Sequence, residues 1–419
     1  MPIKEIKTVC FVGAGTMGCV NSLLSGIGGY NALIYDVSAE ALSQVFQRQK
    51  EAGAYMVDNK IFDQGLVDAG MSRVSLVSDP VQAAEDADLL SESVSERLEL
   101  KRKVHKQFDA LCPPKTIMTT NTSGLPVSEI EKAVTRSDRF AALHSHLGSG
   151  LVDIVGGERT SPETIDILKR YVLSLGCIPL VLKREKPGYL YNSMLGGVFA
   201  ASLLLVIRGR GGVKAIDRAW MAGQKHWIGP FGMMDYVGLN VVYDSMMAEN
   251  LDRVWEVWAK KIAGFLRPYV ERGELGVKTG KGLYLYPSPA YQESDFLKGM
   301  EDGGHLHDVL FGSLACNAIM LVVDGYADVD DVDRAWMAGQ NVTTGPFGML
   351  DNKGLDDFLE GLNEPSGMWV YQFGNPEEIA GFLRPYVERG ELGKKTGKGF
   401  YAYPTPAYQR PEFLTDGDG

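Results

Sequence analysis

A short apolar run, Thr8–Val12, leads directly into Gly13-Ala14-Gly15-Thr16-Met17-Gly18, and the combination has the spacing needed to hold a pyrophosphate. In a Gly-x-Gly-x-x-Gly turn between strand and helix, each glycine has its own task. Gly13 permits the tight turn, Gly15 lets the backbone approach the phosphates, and Gly18 allows the helix to pack closely on the strand. Thr16 and Met17 head that helix, whose unpaired N–H groups and positive dipole end face the anion. A second apolar run, Asn31–Tyr35, ends on Asp36, where a carboxylate accepts from a ribose 2′-hydroxyl. A carboxylate repels a 2′-phosphate, so the pattern predicts NAD in preference to NADP. Two further residues with chemical capacity, Ser123 and His144, lie at or just past the ends of later apolar runs.

These residues converge only if the runs they terminate lie side by side as strands. The N-terminal region alternates accordingly, with helices predicted over 39–55 and 63–69, a strand over 73–77, and a short helix over 81–86. A strand over 87–92 and a strongly amphipathic helix over 98–111 follow, then strands over 116–121, 141–144 and 177–183. This alternation predicts a doubly wound, mostly parallel α/β sheet, with ligands beyond the carboxyl ends of its strands.

After Pro187 the pattern becomes helical and a repeat begins. Ile216-Asp-Arg-Ala-Trp-Met-Ala-Gly-Gln224 recurs from Val332 to Gln340, and Gly229-Pro-Phe-Gly-Met-Met-Asp235 recurs from Gly345 to Asp351. The block from Phe265 to Gly276 returns from Phe382 to Gly393, and each copy then reads Lys-Thr-Gly-Lys-Gly before an aromatic end. The offset stays at 116 or 117 residues, which is a duplicated domain rather than a solenoid, joined by a linker over 288–304.

A chain of 419 residues has room for two or three domains, and a formal net charge of −11 argues against a nucleic-acid partner. The five cysteines form no Cys-x-x-Cys or Cys/His cluster, which predicts a reducing compartment and no metal. No apolar run is expected to reach membrane-spanning length, and the first strand starts almost at Met1, so a cytoplasmic protein with no membrane contact is expected.

An ordered series of segments resembles the 3-hydroxyacyl-CoA dehydrogenase family, in a form with its C-terminal helical domain duplicated. Beyond the glycine loop, the series runs through Ser91-Glu-Ser-Val-Ser-Glu-Arg-Leu-Glu-Leu-Lys101, Asn121-Thr-Ser-Gly-Leu-Pro126 and Arg139-Phe-Ala-Ala-Leu-His144. Pro187-Gly-Tyr-Leu-Tyr-Asn192 and the two Gly-Pro-Phe blocks complete it. The resemblance implies a Rossmann-like α/β domain over 1–186, then two tandem all-α domains of the 6-phosphogluconate dehydrogenase C-terminal type over 187–297 and 298–419. It implies NAD as cofactor and a small-molecule substrate, an acyl-CoA thioester, in a monomer or homodimer. His144 matches the family's catalytic base, and Ser123 and Asn192 match polar residues that hold the substrate oxygen. Glu96, Lys101 and Asn121 match residues on the cofactor side. Oxidising a secondary alcohol needs a base for the hydroxyl proton while hydride leaves, a role imidazole suits.

Departures from the family pattern keep alternatives open. His144-Ser-His-Leu-Gly-Ser-Gly150 replaces a longer segment with two aromatics, and the family's glutamate becomes Asp153. Asp153 reads either as the orienter of His144 or as a solvated strand-edge acid, with His146 as a second candidate base. Cations for a coenzyme A handle are few: Arg48, Lys50 and Lys60, with Gly53 at a family serine position. A free 3-hydroxy acid is therefore an alternative substrate, and a non-catalytic NAD-binding relative is a third reading. The second helical copy, which has Asp308 in place of Asn192, reads as structural and suited to cover the first in a monomer.

Overall fold

The computed structural model describes residues 2–246, 253–362 and 375–415. Two compact units divide the chain differently from the repeat. The first gathers Met1–Tyr191, Gly325–Gly345 and Ala407–Gly419, and the second gathers Asn192–Asp324 and Pro346–Pro406.

The first unit is built on eight strands: β1 (Thr8–Val12), β2 (Asn31–Tyr35), β3 (Val74–Val77), β4 (Leu89–Glu92), β5 (Ile117–Thr120), β6 (Phe140–Ser145), β7 (Leu151–Gly156) and β8 (Ile178–Leu182). Their order is β3-β2-β1-β4-β5-β6-β7-β8. Pairs from β3 through β6 are parallel, β6 pairs antiparallel with β7, and β7 pairs parallel with β8. The carboxyl ends of β1, β4, β5 and β6 therefore share one edge, where a doubly wound sheet binds its ligands.

Helices α1 (Thr16–Ile27), α2 (Ala39–Ser43), α3 (Val45–Asp58), α4 (Gln64–Met71), α5 (Pro80–Ala84), α6 (Leu98–Leu111), α7 (Val127–Ile130) and α8 (Pro162–Ser174) belong to this unit. Their starts are written in the sequence. Ser38, Asp63, Asp79 and Ser161 each accept a backbone N–H as N-caps, with proline opening the helix after Asp79 and Ser161. Apolar residues from both layers, including Phe11, Ile34, Leu89, Ile117, Leu168 and Val172, form the core. The single helix expected over 39–55 is divided at Gln44, and β7 and α8 are present where no element was expected.

A buried polar network anchors the β4 end of the binding edge. Glu92 Oε1 accepts from Lys101 Nζ at 2.8 Å and from Val94 N at 2.7 Å, while Oε2 accepts from Thr120 Oγ1 at 2.7 Å and lies 3.3 Å from His105 Nε2. Burial pushes the Glu92 carboxyl up, but His105 and Lys101 outweigh it and hold it down at about 2.

Helix α9 (Tyr191–Ile207) carries the chain into the second unit. There follow α10 (Val213–Gln224), α11 (Pro230–Val237), α12 (Leu239–Met246), α13 (Arg253–Glu271), α14 (Gly304–Val323), α15 (Val329–Gln340), α16 (Pro346–Lys353), α17 (Leu355–Gly361) and α18 (Pro376–Glu388), of which α15 lies in the first unit. The duplication repeats its details: Asp235 accepts from Leu283 N and Tyr284 N, and Asp351 accepts from Phe400 N and Tyr401 N. One expectation is corrected. At 20 residues, with a mean hydropathy of 1.8 over an 18-residue stretch of it, α14 is long and apolar enough to cross a membrane. Here it is a core helix, with Leu310, Leu314, Ala318 and Ile319 fully buried and its sides packed on α10, α16 and α18.

Removing one partner of a buried ion pair strands the other's charge, so Lys101→Met is expected to lower unfolding stability by about 3 kcal/mol in urea. Because the Glu92 carboxyl is depressed on folding, its contribution is present above 4.5 and lost as pH falls toward about 2, which acid titration of the wild-type protein checks.

Candidate active site

The glycine loop has the geometry of a phosphate cradle. Gly13 adopts a φ of 109° and donates its N–H to Tyr35 O at 2.8 Å. A Cβ at Gly18 would lie 1.9 Å from Gly13 O, so helix and strand can approach this closely only with glycine there. At Gly15 a Cβ would meet no atom within 4 Å. That open space lies at the N-terminus of α1, beside Thr16 and the half-buried Met17. Asp36 closes the β2 side, accepting from Ala14 N at 2.8 Å and Ser38 N at 2.9 Å, and Arg48 Nη1 donates to Ala14 O at 2.6 Å. Donors, dipole and open cradle all suit a dinucleotide.

His144 and Asp153 face each other directly across the antiparallel β6–β7 pair. His144 Nδ1 is 3.0 Å from Asp153 Oδ2, and His146 Nε2 is 2.6 Å from the same oxygen. Asp153 is fully buried, so the strand-edge reading of this acid is corrected: it lies in the interior of the sheet. An ionised carboxylate only accepts, so both ring nitrogens turned to it carry protons and His144 Nε2 is left free to act as a base. Burial pushes the Asp153 carboxyl up, but the charge and hydrogen bonds of the two imidazoles hold it below the usual range. Burial pushes the His144 imidazole down and His146 adds to this, against the pull of Asp153 and Glu96, leaving it below 6.5. The neutral, proton-accepting form is thereby favoured. The three ligand-type atoms lie within 4.8 Å of one another, but their closest contacts, at 2.6 and 3.0 Å, are those of two hydrogen bonds to one oxygen.

The remaining candidates divide by position. Ser123 is exposed on the loop after β5, held by its N–H to Glu96 Oε1 at 2.9 Å, with its Oγ 3.5 Å from that oxygen. Glu96 also accepts from Thr122 Oγ1 and Gly124 N. Burial raises its carboxyl, but Lys101 and these donors outweigh that and lower it. Lys101 is itself buried between Glu92 and Glu96, so it supports Glu96 from behind. Asn121 joins strand ends, its Oδ1 accepting from Ser145 N at 2.9 Å. Lys60 is exposed just beyond α3, and Asn192 opens the second unit near the start of α9. Tyr189, given no role from sequence, is buried with its ring 5.1 Å from that of His144, while its hydroxyl donates to Thr122 O at 2.7 Å. Its place in the Pro187-Gly-Tyr segment, three residues before Asn192, was the available signal.

A dinucleotide cradle and a carboxylate-anchored imidazole lie on one edge of the sheet, an arrangement compatible with an NAD-dependent oxidoreductase. Residues 8–185 match the 3-hydroxyacyl-CoA dehydrogenase NAD binding domain, and 188–286 and 304–403 each match the C-terminal domain of that family. The chain belongs to the 3-hydroxyacyl-CoA dehydrogenase family, is an NAD-dependent oxidoreductase of that type, and carries the C-terminal domain twice. It is 30% identical over 285 residues to a "Probable 3-hydroxybutyryl-CoA dehydrogenase" of Bacillus subtilis, covering 67% of this chain and 98% of that one. It is 26% identical over 291 residues to the 5-formyl-3-hydroxy-2-methylpyridine 4-carboxylate 5-dehydrogenase of Mesorhizobium japonicum, covering 67% and 91%. The fold is shared with the crystal structure of 3-hydroxybutyryl-CoA dehydrogenase from Escherichia coli K12, at a TM-score of 0.75 and 21% identity over 91% of this chain and 99% of that one.

Asp36→Ala removes both the cap on Ala14 N and the charge that repels a 2′-phosphate. NADH affinity is expected to fall about tenfold and the preference over NADPH to narrow, read by nucleotide fluorescence titration.

Proposed function

We propose that the protein interconverts a 3-hydroxyacyl-CoA and its 3-oxoacyl-CoA, with His144 as the general base in oxidation and the general acid in reduction. The observation that carries this reading is the direct cross-strand pairing of His144 with buried Asp153. In oxidation the substrate's hydroxyl proton passes to His144 Nε2 as the carbinol hydrogen departs with its electron pair. Bound NAD supplies the acceptor for that hydride. Asp153 holds the Nδ1–H and offsets the positive charge that forms on the ring, and the nearby Glu96 charge favours the same state. Ser123 and Asn192 are assigned to the substrate oxygen, and Gly13, Gly15, Thr16, Met17, Gly18, Asp36 and Asn121 to the cofactor side. Lys101 supports Glu96, and Lys60 is assigned to the coenzyme A phosphates. The five free, buried cysteines fit a reducing, cytoplasmic setting.

A free 3-hydroxy acid is the second reading. It is favoured by the orientation of Arg48, whose guanidinium is taken up by the glycine loop. Gly53 supplies no polar group either, since a Cβ there would lie 2.5 Å from Val67 Cγ1.

NADH oxidation with acetoacetyl-CoA against free acetoacetate separates the two: turnover of the thioester supports the proposal, and turnover of the free acid alone favours the second reading. His144→Gln is expected to lower kcat by about a thousandfold with NADH binding unchanged. Because burial lowers the His144 imidazole, oxidation should hold its rate above that pKa and fall off below it, with a midpoint under 6.5. Reduction, which needs the imidazolium, should lose rate as pH rises through the same midpoint.

A further inference from the structure

Helix α15 comes from the second helical copy, yet it packs on β7 and β8 of the NAD-binding sheet. Its last turn clasps Tyr191. Gln340 Nε2 donates to Tyr191 Oη at 2.7 Å, and Trp336 lies against the ring with centroids 6.1 Å apart. Gly339 is so close that a Cβ there would sit 2.2 Å from Tyr191 Cε2. The Tyr191 ring in turn meets the His146 ring edge-on at 5.3 Å, and His146 Nε2 bonds Asp153 Oδ2 at 2.6 Å. A continuous run of contacts therefore joins the second copy to the carboxylate that holds His144.

The repeat provides an internal comparison. Trp220, Gly223 and Gln224 stand 116 residues before Trp336, Gly339 and Gln340, and Tyr191 stands 116 residues before His307. In the second unit, Gln224 Nε2 lies 2.8 Å from His307 Nε2, and a Cβ at Gly223 would lie 2.2 Å from His307 Cδ2. The same clasp is made twice, each time by the opposite copy. Equivalent residues of the two copies thus exchange partners, each clasp lying within its own unit. Among the described residues, the clasp on Tyr191 is the one with an Asp–His pair behind it.

We propose that helix α15 of the second copy is a positioning element of the catalytic site, holding His146 against Asp153 through Tyr191 and so fixing the ring of His144. Tyr191, Trp336 and Gln340 are positioning residues in this scheme, and the inference rests on the reading of His144 as the base. The titratable groups facing the two rings are Asp153, Glu96, Tyr189 and Tyr191.

Gln340→Leu and its twin Gln224→Leu, each in the full chain, test the proposal. Gln340→Leu is expected to lower kcat for acetoacetyl-CoA reduction about tenfold with KM for NADH unchanged. It should also displace the imidazole titrations of His144 and His146, read by NMR of 15N-labelled rings and assigned with His144→Gln and His146→Gln. Gln224→Leu should leave rate and titrations at wild-type values. Tyr191→Phe removes the same bond from its other end and should reproduce Gln340→Leu, with the double variant no worse than either single one. Equal behaviour of Gln340→Leu and Gln224→Leu in ring titration would overturn the proposal. The titrations need no substrate, so a protein inactive on thioesters would count against the function while still deciding the clasp.

Discussion

Asp153 is a carboxylate with no solvent exposure in the middle of a strand, and the arrangement of the site follows from how its charge is met. Taking such a group out of water costs on the order of several kcal/mol unless donors replace the lost hydration. Two imidazoles do so on one oxygen, while Oδ1 has no hydrogen-bond partner among the described residues. That demand fixes the β6–β7 register, because a slip of one residue would turn Asp153 to the other face of the sheet. It also fixes both ring tautomers. The short connection between the strands, with Gly148 and Gly150 at positive φ, returns the chain in the register the pair needs.

A second buried carboxylate does comparable work at the end of β4. Glu92 is met by Lys101, Thr120, His105 and the Val94 N–H, and Lys101 then extends to Glu96. Glu96 gathers the N–H groups of Ser123 and Gly124. The loop that carries the proposed substrate-binding serine thus hangs from a charge network anchored inside the sheet. Rigid support of this kind matters because proton and hydride transfer both depend on sub-ångström placement of the reacting groups.

The cofactor half was the most legible part of the sequence, since a glycine turn has few physical alternatives. The φ of 109° at Gly13 and the 1.9 Å approach at Gly18 are the constraints that wrote the motif. Helix α6 was legible because its apolar spacing is regular over 14 residues. Strand β7 was not, because an aspartate in the middle of Leu-Val-Asp-Ile-Val resembles an exposed position until a partner is known across the sheet. For the same reason His146 read as a rival base rather than as a second donor to Asp153. The placement of α15 in the first unit was equally hidden. Sequence repeats show that two segments fold alike, but not which neighbour each of them covers.

The proposed chemistry depends on Asp153 setting the tautomer of His144 and supporting its positive charge. It is tested most directly by the kcat of Asp153→Asn for NADH-dependent reduction of acetoacetyl-CoA, with NADH affinity measured beside it. The amide is close in shape, but it carries no charge and can present N–H to Nδ1, which would move the imidazole proton to Nε2. The expected result is a loss of about a thousandfold or more in kcat with NADH affinity within about twofold of wild type. A variant that keeps kcat within about threefold of wild type would contradict it.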